Sequence, residues 1–139
     1  MNYFFSTTPV WQQKGLAIIR IITGLFMVYH GWEVFDAGKM KTYLEWDQFQ
    51  SPYSLFLVHL GKGSEFAGGL LLTLGLFTRW ACLIIAVTML YISLFVGTGK
   101  IWYQDQHPFL FVLLALVFFF TGPGKYSIDH ILFTKKNIT

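Results

Sequence analysis

Seven ionisable side chains that could transfer protons or bind a polar ligand fall into three groups along the sequence. Members of the first two groups are spaced by three residues, which places their side chains on one face of a helix. A carboxylate beside a histidine suits proton transfer, because a site with little water can bring their proton affinities close together. The candidates are His30 and Glu33 in the first group, His59, Lys62 and Glu65 in the second, and Asp105 and His107 in the third.

Two interpretations of these groups compete. In the first, Lys62 and Glu65 neutralise each other and fix the packing of one helix. In the second, the groups line a polar pocket that opens to the outer face of a membrane, with one or more histidines beside Glu65. A charge in the middle of a bilayer costs about 2.5–3.5 kcal/mol. A structural clamp needs only two charges, so the number of ionisable groups favours the pocket.

The sequence alone does not identify a cofactor. Cys82 is the single cysteine, which excludes an internal disulfide, a CxxC pair and a zinc or iron–sulfur site built on cysteines. His30 and His59 have the types needed for axial ligation of a b-type haem, but three histidines near one end of any helical bundle look similar, so we do not predict haem. If the protein handles electrons, a bound cofactor or a partner must carry them.

Composition predicts that the helices which position these residues lie in a membrane. The 139 residues are 55% hydrophobic and 12% charged, against about a quarter charged in a soluble domain. The hydrophobic residues form long runs, which is typical of a chain that lies in lipid. These figures exclude a disordered, collagen-like, coiled-coil or nucleic-acid-binding chain, although the formal net charge is +3.

The runs predict one all-α membrane domain over residues 1–139, an integral four-helix bundle. We expect spans at about 16–35, 52–77, 80–96 and 102–121. Residues 1–15 lack the pattern of a removable signal peptide. The boundary signals are Ser51-Pro52 at the start of the second span, Thr78-Arg79 as the break before the third, Gly97–Lys100 as a turn, Pro108 in the first turn of the fourth span, and Gly122-Pro123-Gly124 as its stop.

Positive charge predicts the orientation of the bundle. Four spans place both termini on one side, and that side has six Lys or Arg against three on the other, so we expect cytoplasmic termini. A short helix on the outer membrane surface is predicted within residues 36–50. The cytoplasmic set is Lys14, Arg20, Arg79, Lys125, Lys135 and Lys136, and the outer set is Lys39, Lys41 and Lys100.

Polar residues also occur at the predicted cytoplasmic end. Arg20, one turn inside the first span, either reaches back to the interface or pairs with the C-terminal polar segment, for which Asp129 is a candidate. For Asp129 and His130 themselves, the simplest interpretation is a solvated helix start capped by Ser127.

Several short motifs, taken in order, resemble the DoxX family of small bacterial and archaeal membrane proteins. The first is Arg20-x3-Gly24 followed by His30-Gly31-Trp32. The others are Glu65-x2-Gly68-Gly69-Leu70, Gly75-Leu76-x-Thr78-Arg79 and Gly122-Pro123-Gly124-x-Tyr126-Ser127-Ile128-Asp129. The motif positions that the resemblance marks as structural are Arg20, Gly24, Gly31, Gly68, Gly69, Arg79, Gly122, Gly124 and Asp129.

The resemblance implies a four-helix bundle in the bacterial cytoplasmic membrane that is associated with redox chemistry, since some members look like quinone-reducing subunits of thiosulfate-oxidising systems or like partners of thiol-oxidant defence proteins. It therefore implies a quinone as ligand, the lipid bilayer as environment and protein partners in a membrane complex. The chain departs from the family at Glu33-Val34, where many members have Gln-Lys. We hypothesise that Lys62 supplies the missing charge and meets Glu33 or Glu65.

Three functions follow from these observations. The first is a redox-associated subunit with a quinone-binding outer pocket, which makes the chain part of a quinone-linked oxidoreductase. The second is a non-catalytic subunit that docks into a larger complex. The third, a small-molecule transporter, ranks lowest, because the sequence shows neither a repeat nor a discontinuous helix. The sequence leaves the electron donor and the catalytic status of the chain open.

Overall fold

The computed structural model describes residues 6–134, which form helices joined by turns, with no strand in that range. Two of the helices, α3 and α4, are separated by only three residues. The bounds are α1 Gln12–Gly31, α2 Ala37–Leu44, α3 Ser54–Leu74, α4 Thr78–Tyr91, α5 Gln106–Thr121 and α6 Ile128–Thr134, with 3-10 turns at Trp32–Phe35 and Asp47–Phe49 and a π-helical extension of α4 at Ile92–Val96.

Helix α3 occupies the centre of the packing and contacts α1 on one side and α4 on the other. Glycines make the first contact close: a Cβ atom on Gly69 would lie 2.8 Å from the carbonyl oxygen of Gly24, so the two backbones touch. On the α4 side, a Cβ atom on Gly68 would lie 2.9 Å from the Ile85 side chain. Small residues thus allow both neighbours to approach α3.

The last of the long helices, α5, packs against α4 and touches α1 only lightly. Met27, Leu72, Ile85 and Phe118 are completely or almost completely buried between these helices. An open groove lies on the side of α5 that faces α1.

The outward-facing side chains are apolar. Tyr29, Val87 and Phe120 are each at least two-thirds exposed. In contrast, Arg20 and Glu65 are almost completely buried. This is the reverse of a soluble domain and fits a protein whose solvent is lipid. Two helical stretches in the described part of the chain, Gln12–Phe35 and Thr78–Val96, are long and apolar enough to cross a membrane.

Several boundaries differ from the sequence predictions. Helix α3 begins at Ser54 instead of Pro52, because Ser51 and Ser54 form a hydrogen-bonded turn before it. The break before α4 was predicted at Thr78-Arg79, which is wrong. Gly75 ends α3 in the left-handed conformation with φ of 65°, and Thr78 is already the first residue of α4.

The fourth predicted span also starts later, at Gln106 instead of 102, although Pro108 does lie in its first turn. The helix predicted within residues 36–50 is present as α2, and Asp36 caps it by accepting hydrogen bonds from the amides of Gly38 and Lys39. Lys135 and Lys136, which entered the count of positive charges, lie outside the described residues.

Candidate functional site

One cavity collects most of the candidate residues, and we call it the charged pocket. It encloses about 240 Å³ between α1, α3, the π-helical end of α4 and the start of α5, with α2 and the turn after it on its outer side. The lining is largely apolar, as in most ligand sites, with a few polar groups among the apolar ones. The polar members are His30, Tyr43, Lys62, Glu65, Thr88 and His107, and the apolar members include Met27, Trp46, Phe49, Met89 and Phe111.

Lys62 joins Glu65, which also lines this pocket, to Glu33 beside it. Its Nζ lies 3.0 Å from Oε2 of Glu65, one helical turn further along α3, and 3.1 Å from Oε2 of Glu33. The same ammonium donates a longer hydrogen bond of 3.4 Å to the carbonyl oxygen of His30. The hypothesis that Lys62 meets Glu33 or Glu65 is confirmed in both parts.

Glu65 is the most buried of these groups, with a side chain only 3% exposed. Helix α3 holds it deep in the pocket, and the close approach of Gly31 to the backbone of Phe66 closes the α1 side at the same level. A buried carboxylate is expensive without a partner. The Lys62 ammonium is the charged partner of Glu65 in the described part of the chain.

Glu33 connects this pair to the protein surface. Its Oε1 accepts a hydrogen bond from Lys39 at 3.0 Å, and its Oε2 accepts one from the Tyr43 hydroxyl at 2.5 Å. Burial and the hydrogen bond to Glu33 raise the pKa of the Tyr43 hydroxyl above its usual range. Charges of alternating sign therefore run from exposed Lys39 through Glu33 and Lys62 to buried Glu65.

Two histidines from different helices meet at the edge of the charged pocket. The rings of His30 on α1 and His107 on α5 are 5.4 Å apart between centroids, in an edge-to-face arrangement. Phe111, one turn after His107, contacts both rings. These three rings bring a side chain of α1 into contact with two side chains of α5.

Two predicted members of the site lie elsewhere. The His59 ring is exposed and bonds the carbonyl oxygen of Leu55 on its own helix, so His59 does not face His30 as an axial haem pair would require. Asp105 caps the turn after α4, where its Oδ2 accepts hydrogen bonds from the amides of Thr98 and Lys100 and from the Thr98 hydroxyl. Sequence spacing places a residue on a helix face but does not show which neighbour covers that face.

The residue that sequence reasoning missed is Tyr43. Helix α2 folds back so that the Tyr43 hydroxyl reaches Glu33 and the Tyr43 ring lies 5.1 Å from the Lys62 ammonium. One sequence signal could have found it. Asp36 marks the start of α2, and Met40 and Tyr43, three residues apart, then lie on the same face of that helix, the face that packs against the protein.

A second polar cluster lies at the opposite end, around Arg20. The side chain is 1% exposed and donates to the carbonyl oxygens of Leu72 and Thr73 at the end of α3 and of Tyr126 in the C-terminal segment. Arg20 therefore does not reach back to the interface. The other alternative, a bond to the C-terminal segment, is confirmed. Arg20 bonds the backbone carbonyl of Tyr126 in that segment, however, and not the Asp129 carboxylate.

Asp129 has its own role in this cluster. Its carboxylate accepts hydrogen bonds from the amides of Phe77 at 2.7 Å and Thr78 at 2.8 Å, which caps the start of α4. The residue is buried, so its interpretation as part of a solvated helix start is wrong, whereas the expected cap by Ser127 is present on the amide of His130. Arg20 and Asp129 together attach the C-terminal segment to the connection between α3 and α4.

Comparison with known proteins identifies the family. The DoxX family model matches residues 15–98, more than half of the chain. The chain belongs to the DoxX family. The matched range includes Arg20, Glu33, Lys62 and Glu65, and the resemblance inferred from the motifs is confirmed. A DoxX protein is a membrane protein, in agreement with the outward apolar surface described above.

Two DoxX relatives align over nearly their whole length. One, an uncharacterized protein of Haemophilus influenzae, is 37% identical over 127 residues, which cover 86% of this chain and 92% of the relative. The other, the inner membrane protein YqjF of Escherichia coli, is 30% identical over 131 residues, which cover 87% and 94%. No solved structure matches the chain.

Proposed function

We propose that this DoxX protein is a redox-associated subunit that binds a quinone or a similar small amphiphile in the charged pocket. The observation that carries the proposal is the position of a buried carboxylate, Glu65, and its ammonium partner, Lys62, in a largely apolar cavity that also contains two histidines. The apolar lining accepts a planar ring, and the few polar groups orient its oxygens.

The chemistry assigned to the pocket is proton handling. Reduction of a quinone to a quinol takes two electrons and two protons. Lys62 donates a hydrogen bond to one quinone oxygen, and Glu65 with a histidine of the pocket delivers the protons. The electrons come from a partner protein. The alternating charges from Lys39 to Glu65 link the pocket to water, from which the protons are replaced.

The membrane arrangement is part of the same proposal. One membrane domain crosses the bacterial inner membrane with α1, α3, α4 and α5 as a four-helix bundle, and both termini are cytoplasmic. The relative named as an inner membrane protein supports the location. The excess of Lys and Arg on the side of the termini supports the orientation. The charged pocket then opens toward the outer face.

The test uses a quinone without a tail, 2,3-dimethoxy-5-methyl-1,4-benzoquinone, and the purified protein in lipid nanodiscs. Trp46 lines the pocket, so binding quenches tryptophan fluorescence in a saturable way, and Trp46→Phe removes most of that change. Glu65→Gln weakens binding about tenfold, equivalent to 1.4 kcal/mol. Glu45→Gln, at an exposed position after α2, is the matched control and leaves binding unchanged. Linear, non-saturable quenching by wild type would overturn the proposal.

A non-catalytic subunit of a larger complex is the second candidate. The charge balance of the network favours this role. Two glutamates and two lysines neutralise one another, which is what a structural clamp between packed elements needs. Extraction of protein purified from native membranes decides between the candidates. A stoichiometric protein partner without extractable quinone supports this second role, and bound quinone supports the first.

A further inference from the structure

A groove on the lipid-facing surface runs between α1 and α5. It encloses about 580 Å³ and is lined by Ile19, Ile22 and Phe26 of α1 and by Leu110 and Leu114 of α5. Ile22, Phe26 and Leu110 are each about half exposed, so the groove is open along its length. It exists because α1 packs tightly on α3 while α5 packs on α4, which leaves this side of the bundle unfilled.

The groove and the charged pocket share one boundary. His30, His107 and Phe111 line both cavities. Their rings contact one another across the gap between α1 and α5, at centroid distances of 5.3–6.4 Å. No backbone hydrogen bond joins α1 to α5 here in the described residues, and the boundary that the two cavities share is formed by these three side chains. Rotamer changes of exposed side chains are fast compared with helix movements, and of the three rings His107 is exposed.

The two cavities differ in chemistry in the way that the two ends of an amphiphile differ. The charged pocket contains the Lys62 ammonium and the Glu65 carboxylate. The groove is bordered by hydrocarbon except at Thr23, Tyr29 and the two histidines. A polar head in the pocket thus has an apolar channel beside it that leads directly to the bilayer. A ligand that entered from water would not need that channel.

We propose that the groove holds the apolar tail of the ligand and that the ligand enters the charged pocket sideways from the bilayer, past His30, His107 and Phe111. The inference rests on the proposed function and names its ligand more closely: a membrane amphiphile with a long hydrocarbon tail, such as an isoprenoid quinone. The three rings act as the gate. The tail stays among lipid-like side chains while the head reaches Lys62.

The experiment compares a quinone with a ten-carbon tail, decylubiquinone, with the same ring without a tail. Binding is measured by tryptophan quenching in nanodiscs of fixed lipid content. The variant Ile22→Phe/Leu110→Phe fills the groove from both helices without adding a fluorophore that interferes. Its matched control, Ile18→Phe/Val117→Phe, adds at least as much bulk to exposed positions of α1 and α5 outside the groove.

The filled groove is expected to weaken binding of the tailed quinone at least about tenfold relative to the control, with no change for the ring alone. Equal affinities of both variants for the tailed quinone, with binding retained, would overturn the groove inference and leave the proposed function intact. If wild type binds the ring alone but gains nothing from the tail, the inference is equally overturned. If neither quinone binds wild type, the proposed function itself fails.

Discussion

At the residue scale, Lys62 compensates the negative charge of the carboxylates beside it. It contacts Glu33 and Glu65 at once, and its side chain is only 15% exposed. Removal of one partner from a buried ion network is costly because the remaining charge is left without compensation, whereas removal of both can be neutral. A single substitution at Lys62 therefore tests how much the charge network contributes to stability.

The substitution Lys62→Met is expected to lower the free energy of unfolding by about 3 kcal/mol, because it leaves Glu65 buried and unpaired. Thermal unfolding in detergent measures this as a lower melting temperature. The double variant Lys62→Met/Glu65→Gln should recover much of the loss. Lys41→Met removes an exposed lysine of α2 and serves as the control. A melting temperature equal to that of wild type would mean that water compensates Glu65.

Asp105 provides a prediction for pH. Hydrogen bonds from the Thr98 hydroxyl and from backbone amides lower the pKa of its carboxyl. A carboxyl with a lowered pKa in the folded state contributes stability above its unfolded pKa of about 3.9, and this contribution is lost as pH falls through the folded value. Asp105→Asn should therefore lower the melting temperature at pH 7.

The same comparison at a pH below the folded pKa is the control for this effect. There both the wild-type acid and the asparagine are neutral, so the difference in melting temperature between the two proteins should shrink toward zero. A difference that is equally large at pH 7 and in acid would show that the side-chain shape matters at the turn and its charge does not. Melting curves of both proteins over a pH series provide the measurement.

At the element scale, the contact between α1 and α3 depends on glycine. A Cβ atom on Gly31 would overlap the backbone nitrogen of Phe66 and lie 2.8 Å from the carbonyl carbon of Glu65. Gly63, in the same helix as Glu65, has nothing within 4 Å of its Cβ position. The two glycines thus separate the effect of packing from the effect of helix propensity.

Gly31→Ala should push α1 away from α3 and lower the free energy of unfolding by about 1–3 kcal/mol. Gly63→Ala should be neutral or stabilise the protein by about 0.5–1 kcal/mol, because alanine favours the helix and meets no neighbour. Thermal unfolding of both variants in one detergent gives the comparison. Equal destabilisation by the two substitutions would contradict a packing role specific to Gly31.

The sequence predicts the helices well and the contacts between them poorly. Long apolar runs identify α1, α3, α4 and α5, since periodicity and hydropathy are local properties. The break after α3 was placed two to three residues late, because the left-handed Gly75 and the cap that Asp129 provides for α4 depend on a segment far along the chain. Of the candidate site, Lys62 and Glu65 follow from spacing on one helix, whereas the approach of Tyr43 depends on how α2 folds back.

At the scale of the whole molecule, the two polar clusters have opposite locations and different chemistry. The Arg20 cluster consists of an arginine that bonds backbone carbonyls and an aspartate that bonds backbone amides, so both groups stabilise the fold. The charges of the charged pocket bond mainly one another and line a cavity. This contrast is the reason to look for function near Glu65 and for stability near Arg20.

The proposed four-span arrangement places these clusters on opposite membrane faces and can be tested without knowledge of the ligand. Cys82 is buried, and a Cys82→Ala background allows single cysteines at exposed positions. Thr8→Cys and Lys125→Cys should react with a membrane-impermeant maleimide only in inverted vesicles. Gln48→Cys and Gln104→Cys should react only in intact cells, because they lie on the connections beside the charged pocket. If Gln48→Cys and Lys125→Cys react from the same side, the chain does not cross the bilayer four times with cytoplasmic termini. If Gln48→Cys reacts only in inverted vesicles, the charged pocket does not open to the outer face as proposed.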